Sequence, residues 1–208
     1  MLLSASRSGA APAGPGGPTA LAPGGDGDRR GGGFDTSRFG LLAFLGTVSM
    51  LFIGFTSALM LRRTSPDWQP LQAPALLWLN TAVLALSSLA LERSRRQLRR
   101  AELPGARLAV LAAAGLGLLF VLGQLQLWRG LTAQGVYLAS NPASSFFYML
   151  TGVHLVHLAG GLVWLAAVLG RVRGFQALGA SHSMGLLALY WHFLGGLWLY
   201  LLVVLFVI

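Results

Sequence analysis

Five long apolar runs dominate the chain, at approximately Phe39 to Leu61, Pro74 to Leu91, Leu108 to Trp128, Ala143 to Leu169 and Met184 to Val207. Each reaches or approaches the roughly 20 apolar residues that carry a helix across about 30 Å of hydrocarbon at about 1.5 Å per residue. The pattern predicts an all-α integral membrane fold with five transmembrane helices joined by short connections. Residues that break or start helices fall between the runs. Pro66, Pro70 and Pro74 interrupt the first connection, Pro104 and Gly105 the second, and Asn141 with Pro142 opens the fourth helix. Trp68, Trp128 and Tyr137 lie near the predicted interfaces, where amphipathic rings settle.

Residues 1–35 have a different character. They are mostly Gly, Pro, Ala and Ser with a few charges, too poor in apolar area to offset backbone ordering, and they are expected to form a disordered tail. The start lacks the basic region and continuous apolar stretch of a signal peptide. Residues 36–208 form the expected membrane domain.

Composition supports this division. The 208 residues are 55% hydrophobic and 10% charged, with a mean hydropathy of +0.67, well outside the soluble range. There is no cysteine, which excludes disulfides, thiolate chemistry and iron–sulfur ligation. All six acids, Asp26, Asp28, Asp35, Asp67, Glu92 and Glu102, lie outside the apolar runs. The fifteen basic residues are all arginine and are unevenly placed. With a cytoplasmic N-terminus, the inner side collects Arg7, Arg29, Arg30, Arg38, Arg93, Arg95, Arg96, Arg99, Arg100, Arg107, Arg171 and Arg173; the outer side has Arg62, Arg63 and Arg129. The positive-inside rule then puts the N-terminus in the cytoplasm and the C-terminus in the periplasm. The basic segment from Glu92 to Arg107 reads as a topology determinant, so no nucleic-acid partner is expected.

Polar side chains inside hydrocarbon need partners, which makes them the first candidates for function. They are Asn80, Thr81, Ser87 and Ser88 in the second run, Gln124 and Gln126 in the third, Ser144, Ser145, Thr151, His154 and His157 in the fourth, and Tyr190 and His192 in the fifth. Thr151, His154, His157 and Gly161 recur at helical spacing and predict a stripe facing protein. His192 is followed by Gly195 and Gly196, so the fourth and fifth helices are expected to pack near their histidines and glycine pairs. His154 or His157 with His192 could ligate haem or a metal if they met at one depth. Proton relay by this chain is weaker, since no carboxylate enters the runs. The favoured reading is structural hydrogen bonding, or contact with lipid headgroups or a partner subunit.

Three segments together resemble a known family. GVYLASNPASSFFYMLTGVHLVHLAGGLVWL, from Gly135 to Leu165, is similar to the fourth-span region of bacterial five-helix subunit III proteins of haem-copper terminal oxidases. YWHFLGGLWLYLLVVLFVI, from Tyr190 to Ile208, is similar to their final helix, and LLWLNTAVLALSSLALERSRR, from Leu76 to Arg96, to their second. The resemblance implies an accessory, non-redox subunit of a proton-translocating cytochrome c oxidase in the aerobic respiratory chain. It would be a multi-pass protein of the bacterial inner membrane, packed directly against subunit I alongside subunit II and other subunits. Haem and copper would reside in those partners, with no catalytic centre, cofactor or metal in this chain. The family also implies two-helix and three-helix groups with phospholipid in the cleft between them. Asn80, His154, His157, Tyr190, Trp191 and His192 are then candidates for lipid or subunit contact. Two positions depart from the family pattern: Val48 and Gly195 stand where many members carry glutamate and aspartate. A quinol oxidase subunit III and a stand-alone haem- or metal-binding membrane protein are the alternatives.

Overall fold

The computed structural model describes residues 36–173 and 177–207; the expected tail at residues 1–35 lies outside them. All five runs form α-helices: α1 (Thr36–Arg62), α2 (Ala75–Arg99), α3 (Leu103–Ala133), α4 (Pro142–Arg173) and α5 (Ala177–Phe206). Each is long and apolar enough to cross a membrane, and no strand occurs among the described residues.

The helix ends show local chemistry at work. Asn141 caps α4: its Oδ1 accepts from the Ser144 amide at 2.9 Å, and the Ser144 Oγ accepts from the Asn141 amide at 3.2 Å. That reciprocal pair satisfies donors that a helix start leaves unpaired, and Pro142 follows where no amide hydrogen is needed. The ends of α2 and α3 share one closing motif. After α2, the Glu102 amide donates to Gln97 and the Ala101 amide to Leu98; after α3, the Val136 amide donates to Leu131 and the Gly135 amide to Thr132. Both require a left-handed residue, supplied by Gly135 at φ 81° and, less comfortably, by Ala101 at φ 58°.

Packing is closest between α2 and α3. The buried face of α2 runs Leu77, Asn80, Leu84, Ser87, Leu91, Ser94 and Leu98, alternating steps of three and four. Opposite it lie Ala106, Ala109, Val110 and Ala113 of α3, whose small side chains let the backbones approach. Ser87 and Ser94 cross the seam to donate to the carbonyls of Ala113 (2.8 Å) and Ala106 (3.0 Å).

Helix neighbours run α2–α3, α3–α4, α4–α5 and α5–α2, closing a four-helix ring. α1 lies outside it, against α4 and α5, and approaches neither α2 nor α3. Its packed stripe is Leu45, Val48, Phe52 and Leu59. The other faces of the bundle carry exposed Phe39, Leu42, Met50, Ile53, Leu79, Leu86, Leu108, Val156 and Val163, an apolar exterior suited to lipid or another membrane protein. The tight α2–α3 pair and the α1–α4–α5 trio can be told apart, and the α2–α5 and α3–α4 contacts join them in the ring. The open space lies outside it, between α1 and α2 above α5.

Candidate functional site

That space is a groove floored by α5. Its arginine-rich end is a hollow of about 360 Å³ lined by Arg38 of α1, Arg95 and Arg99 of α2, and His182, Leu186 and His192 of α5. Sharing His192, a second hollow of about 330 Å³ continues along α2 and α5, where Leu84, Leu89, Gly195, Gly196 and Leu199 make its wall almost wholly apolar. A cationic head thus leads into an apolar trough. The glycines supply its depth: a Cβ at Gly185, Gly195 or Gly196 would meet nothing within 4 Å.

At the junction, one polar string links the two walls. The Ser88 hydroxyl lies 2.6 Å from His192 Nδ1, His192 Nε2 lies 3.9 Å from the Glu92 carboxylate, and Glu92 bridges Arg95 and Arg96 at 3.2 Å each. Ser88 and Glu92 are one turn apart on α2, so they present to α5 together. Glu92 holds down part of the arginine charge. Arg38 and Arg99 remain as cations facing the hollow.

The expected site residues separate into three places. His192 is exposed to the groove. His154, 0% exposed, lies inside the ring with its ring centroid 6.1 Å from Phe120 and 5.1 Å from Trp198. Trp198 is six residues beyond His192, about 9 Å along a helix axis, so these two imidazoles do not share a depth. His157 turns to α1, its ring 6.2 Å from both Phe44 and Phe52 and its Nδ1 2.7 Å from the Val153 carbonyl. The single histidine stripe expected on α4 is therefore split between the ring interior and the α1 interface. No group of three or more His, Asp or Glu side chains able to hold a metal occurs among the described residues.

Tyr190 and Trp191 join α5 to α4. The Tyr190 hydroxyl donates to the His157 carbonyl at 2.7 Å, and both rings close over Gly161, where a Cβ would come within about 3.0 to 3.1 Å of them. Gly161 packs on α5 as the spacing predicts, but Gly195 and Gly196 face the groove instead of α4. Asn80 is 3% exposed in the ring. The groove's arginines, with Ser88 and Glu92, were not legible as a site. The arginines and Glu92 read as topology signals and Ser88 as one polar residue among several, although the four-residue spacings 88–92 and 95–99 mark one helix face.

A larger recess, about 760 Å³, opens at the other end between Leu61, Arg62, Asp67 and Asn141. Its cation Arg62 is already paired with Asp67 at 2.8 Å. Hydrogen bonding from Ser65 holds the Asp67 carboxyl below its ordinary range, with the Arg62 charge adding to it.

The sequence model for cytochrome c oxidase subunit III matches residues 34–208, the whole of the helical domain. The chain belongs to the cytochrome c oxidase subunit III family. Among its relatives, the cytochrome c oxidase subunit 3 of Synechocystis is 30% identical over 181 residues, covering 84% of this chain and 76% of the relative. That of Thermostichus vulcanus is 29% identical over 175 residues, covering 81% and 86%. The probable subunit 3 of Mycobacterium bovis is 32% identical over 130 residues, covering 62% and 64%. As a subunit III, the chain is a multi-pass membrane component of an oxidoreductase complex. Within it, Val48 is 3% exposed and lies one turn from both Phe44 and Phe52, the rings that flank His157.

Proposed function

We propose that this subunit III is a non-redox scaffold of a bacterial cytochrome c oxidase that stabilises subunit I and holds a phospholipid in the groove between α1 and α2. The N-terminus and the arginine-rich end would face the cytoplasm, with the haems and copper in the partner subunits. One observation carries the lipid reading: arginines line one end of a groove that is apolar beyond them. A phosphate headgroup is matched by guanidinium forks, and acyl chains fit the trough of Leu84, Leu89 and Leu199. Membrane surface charge favours anionic lipid at clustered arginines by about 1 kcal/mol each.

Affinity purification in mild detergent is expected to recover larger, haem-containing subunits with this chain; recovery only as a haem-free homo-oligomer would overturn the assignment. Native mass spectrometry of that complex should show retained phospholipid. Arg95→Gln with Arg99→Gln should reduce it while leaving haem content unchanged. Equal lipid retention in the variant would remove the groove as the site.

A further inference from the structure

Inside the ring, away from the groove, six polar side-chain atoms have no hydrogen-bond partner in the protein; one is Trp191 Nε1, and the other five cluster: Asn80 Nδ2, Gln124 Oε1 and Nε2, and His154 Nδ1 and Nε2. Their residues are 0 to 3% exposed and come from α2, α3 and α4. They also share a depth. The Asn80 carboxamide presses on the α3 backbone at Gly123, where a Cβ would collide with it, and Gln124 is the next residue. One turn to one side of Gln124, Phe120 meets the rings of His154 and Trp198; one turn to the other, Trp128 Nε1 donates to Thr151 at 3.3 Å. Gln124 is thereby bracketed by the levels of Thr151 and His154. The circle closes through α5, since Trp198 Nε1 donates to Thr81, the neighbour of Asn80, at 3.0 Å while its ring lies against His154.

Buried polar groups are almost always paired, by protein or by ordered water, and leaving several orphaned together would strain a marginally stable fold. The geometry points to an internal water site held by Asn80, Gln124 and His154 at the centre of the four-helix ring. The ligand must both accept and donate. Asn80 Nδ2 and Gln124 Nε2 offer hydrogens, Gln124 Oε1 needs one, and an imidazole presents one nitrogen of each kind. Water meets that demand, typically through about three hydrogen bonds. A metal ion does not, with one imidazole and two carboxamides and no carboxylate or thiolate. Phe120 and Trp198 form the apolar lid towards α5. The water acts as a polar pin, joining three helices at one depth and fixing their register beside the Ser87, Ser94 and Trp128 hydrogen bonds that already link them in pairs.

High-resolution electron cryomicroscopy of the assembled oxidase tests this directly. Ordered density is expected within about 3.2 Å of both the Gln124 carboxamide and the His154 imidazole, and it should vanish in complex carrying Gln124→Leu, while the Trp191→Phe complex keeps it. The site is overturned if the wild-type complex shows Gln124 and His154 bonded directly to each other, or shows no density between them. Where Gln124→Leu fails to assemble, water-edited solid-state NMR of the wild-type chain in liposomes gives the same decision. Rapid polarisation transfer from water to the His154 ring nitrogens, identified by their absence in His154→Phe, supports the site; transfer no faster than that of lipid-shielded backbone amides overturns it.

Discussion

Ala101 carries a backbone strain that its neighbour in the fold avoids. It occupies the same closing position after α2 that Gly135 occupies after α3, with the same pair of hydrogen bonds, yet it bears a Cβ in the left-handed region. That conformation costs an ordinary residue about 1 kcal/mol, so Ala101→Gly is expected to stabilise the domain by up to about that amount, and Gly135→Ala to destabilise it similarly. Thermal unfolding in detergent checks both, and a lowered midpoint for Ala101→Gly would contradict the motif. Val48 poses a different residue-scale question. A glutamate there would be buried one turn from Phe44 and Phe52, the rings that flank His157. Burying a charge is costly unless it is paired. Val48→Glu should therefore destabilise markedly less with His157 present than in a His157→Phe background, with a coupling of about 0.5–3 kcal/mol in a double-mutant cycle. Additive effects would show that the two side chains do not meet.

Among elements, the α2–α3 seam depends on small residues more than on large ones. Away from that seam, Gly117 faces α4 and α5 with little room to spare, since a Cβ there would sit 3.0 Å from both Leu162 and the Trp191 ring. Gly117→Leu should overpack this junction and cost about 1–3 kcal/mol, read as a lowered melting temperature of the purified complex; an unchanged midpoint would mean that the helices can part there freely. This scale also marks where the sequence stops informing. The five helices were legible because length and apolar content alone decide that a run spans a membrane, and α4 announced its start with Asn141 and Pro142. Of the neighbour relations, only the packing of α4 on α5 was legible, through Gly161. α1 carries no polar stripe that betrays which side meets protein, and nothing in it foretold that it would pass over α2 to reach α4 and α5. The candidate residues show the same limit. His154 and His157 are three apart, a spacing compatible with one stripe, yet a turn of about 300° separates their directions enough to send one inward and the other to α1.

For the molecule as a whole, charge and polarity are arranged by depth. Arginines gather where α1 and α5 begin and α2 ends, an apolar belt surrounds the middle, and the buried polar side chains are enclosed by four helices. The groove is the exception, since it brings arginine, histidine and serine to a surface that is otherwise apolar. Removing lipid should therefore act locally: exhaustive delipidation is expected to lower the melting temperature of the wild-type complex more than that of the Arg95→Gln, Arg99→Gln complex, which has already lost its headgroup partners. Equal shifts would separate lipid binding from these arginines.

The position of α1 outside the ring has a consequence for biosynthesis. Of the five helices it leaves the ribosome first, but its packing partners α4 and α5 follow α2 and α3, which can pair as soon as they emerge. This span must wait in lipid, unattached, until α4 and α5 have emerged. Chains arrested after α3 should therefore hold a protease-protected α2–α3 hairpin beside an independent α1, with no crosslink between cysteines introduced at Val48 and Leu84. In the finished protein, α1 should be the first helix to detach as denaturant rises, followed by hydrogen exchange. A subunit made in this order keeps the groove open until its fifth helix arrives to supply the floor.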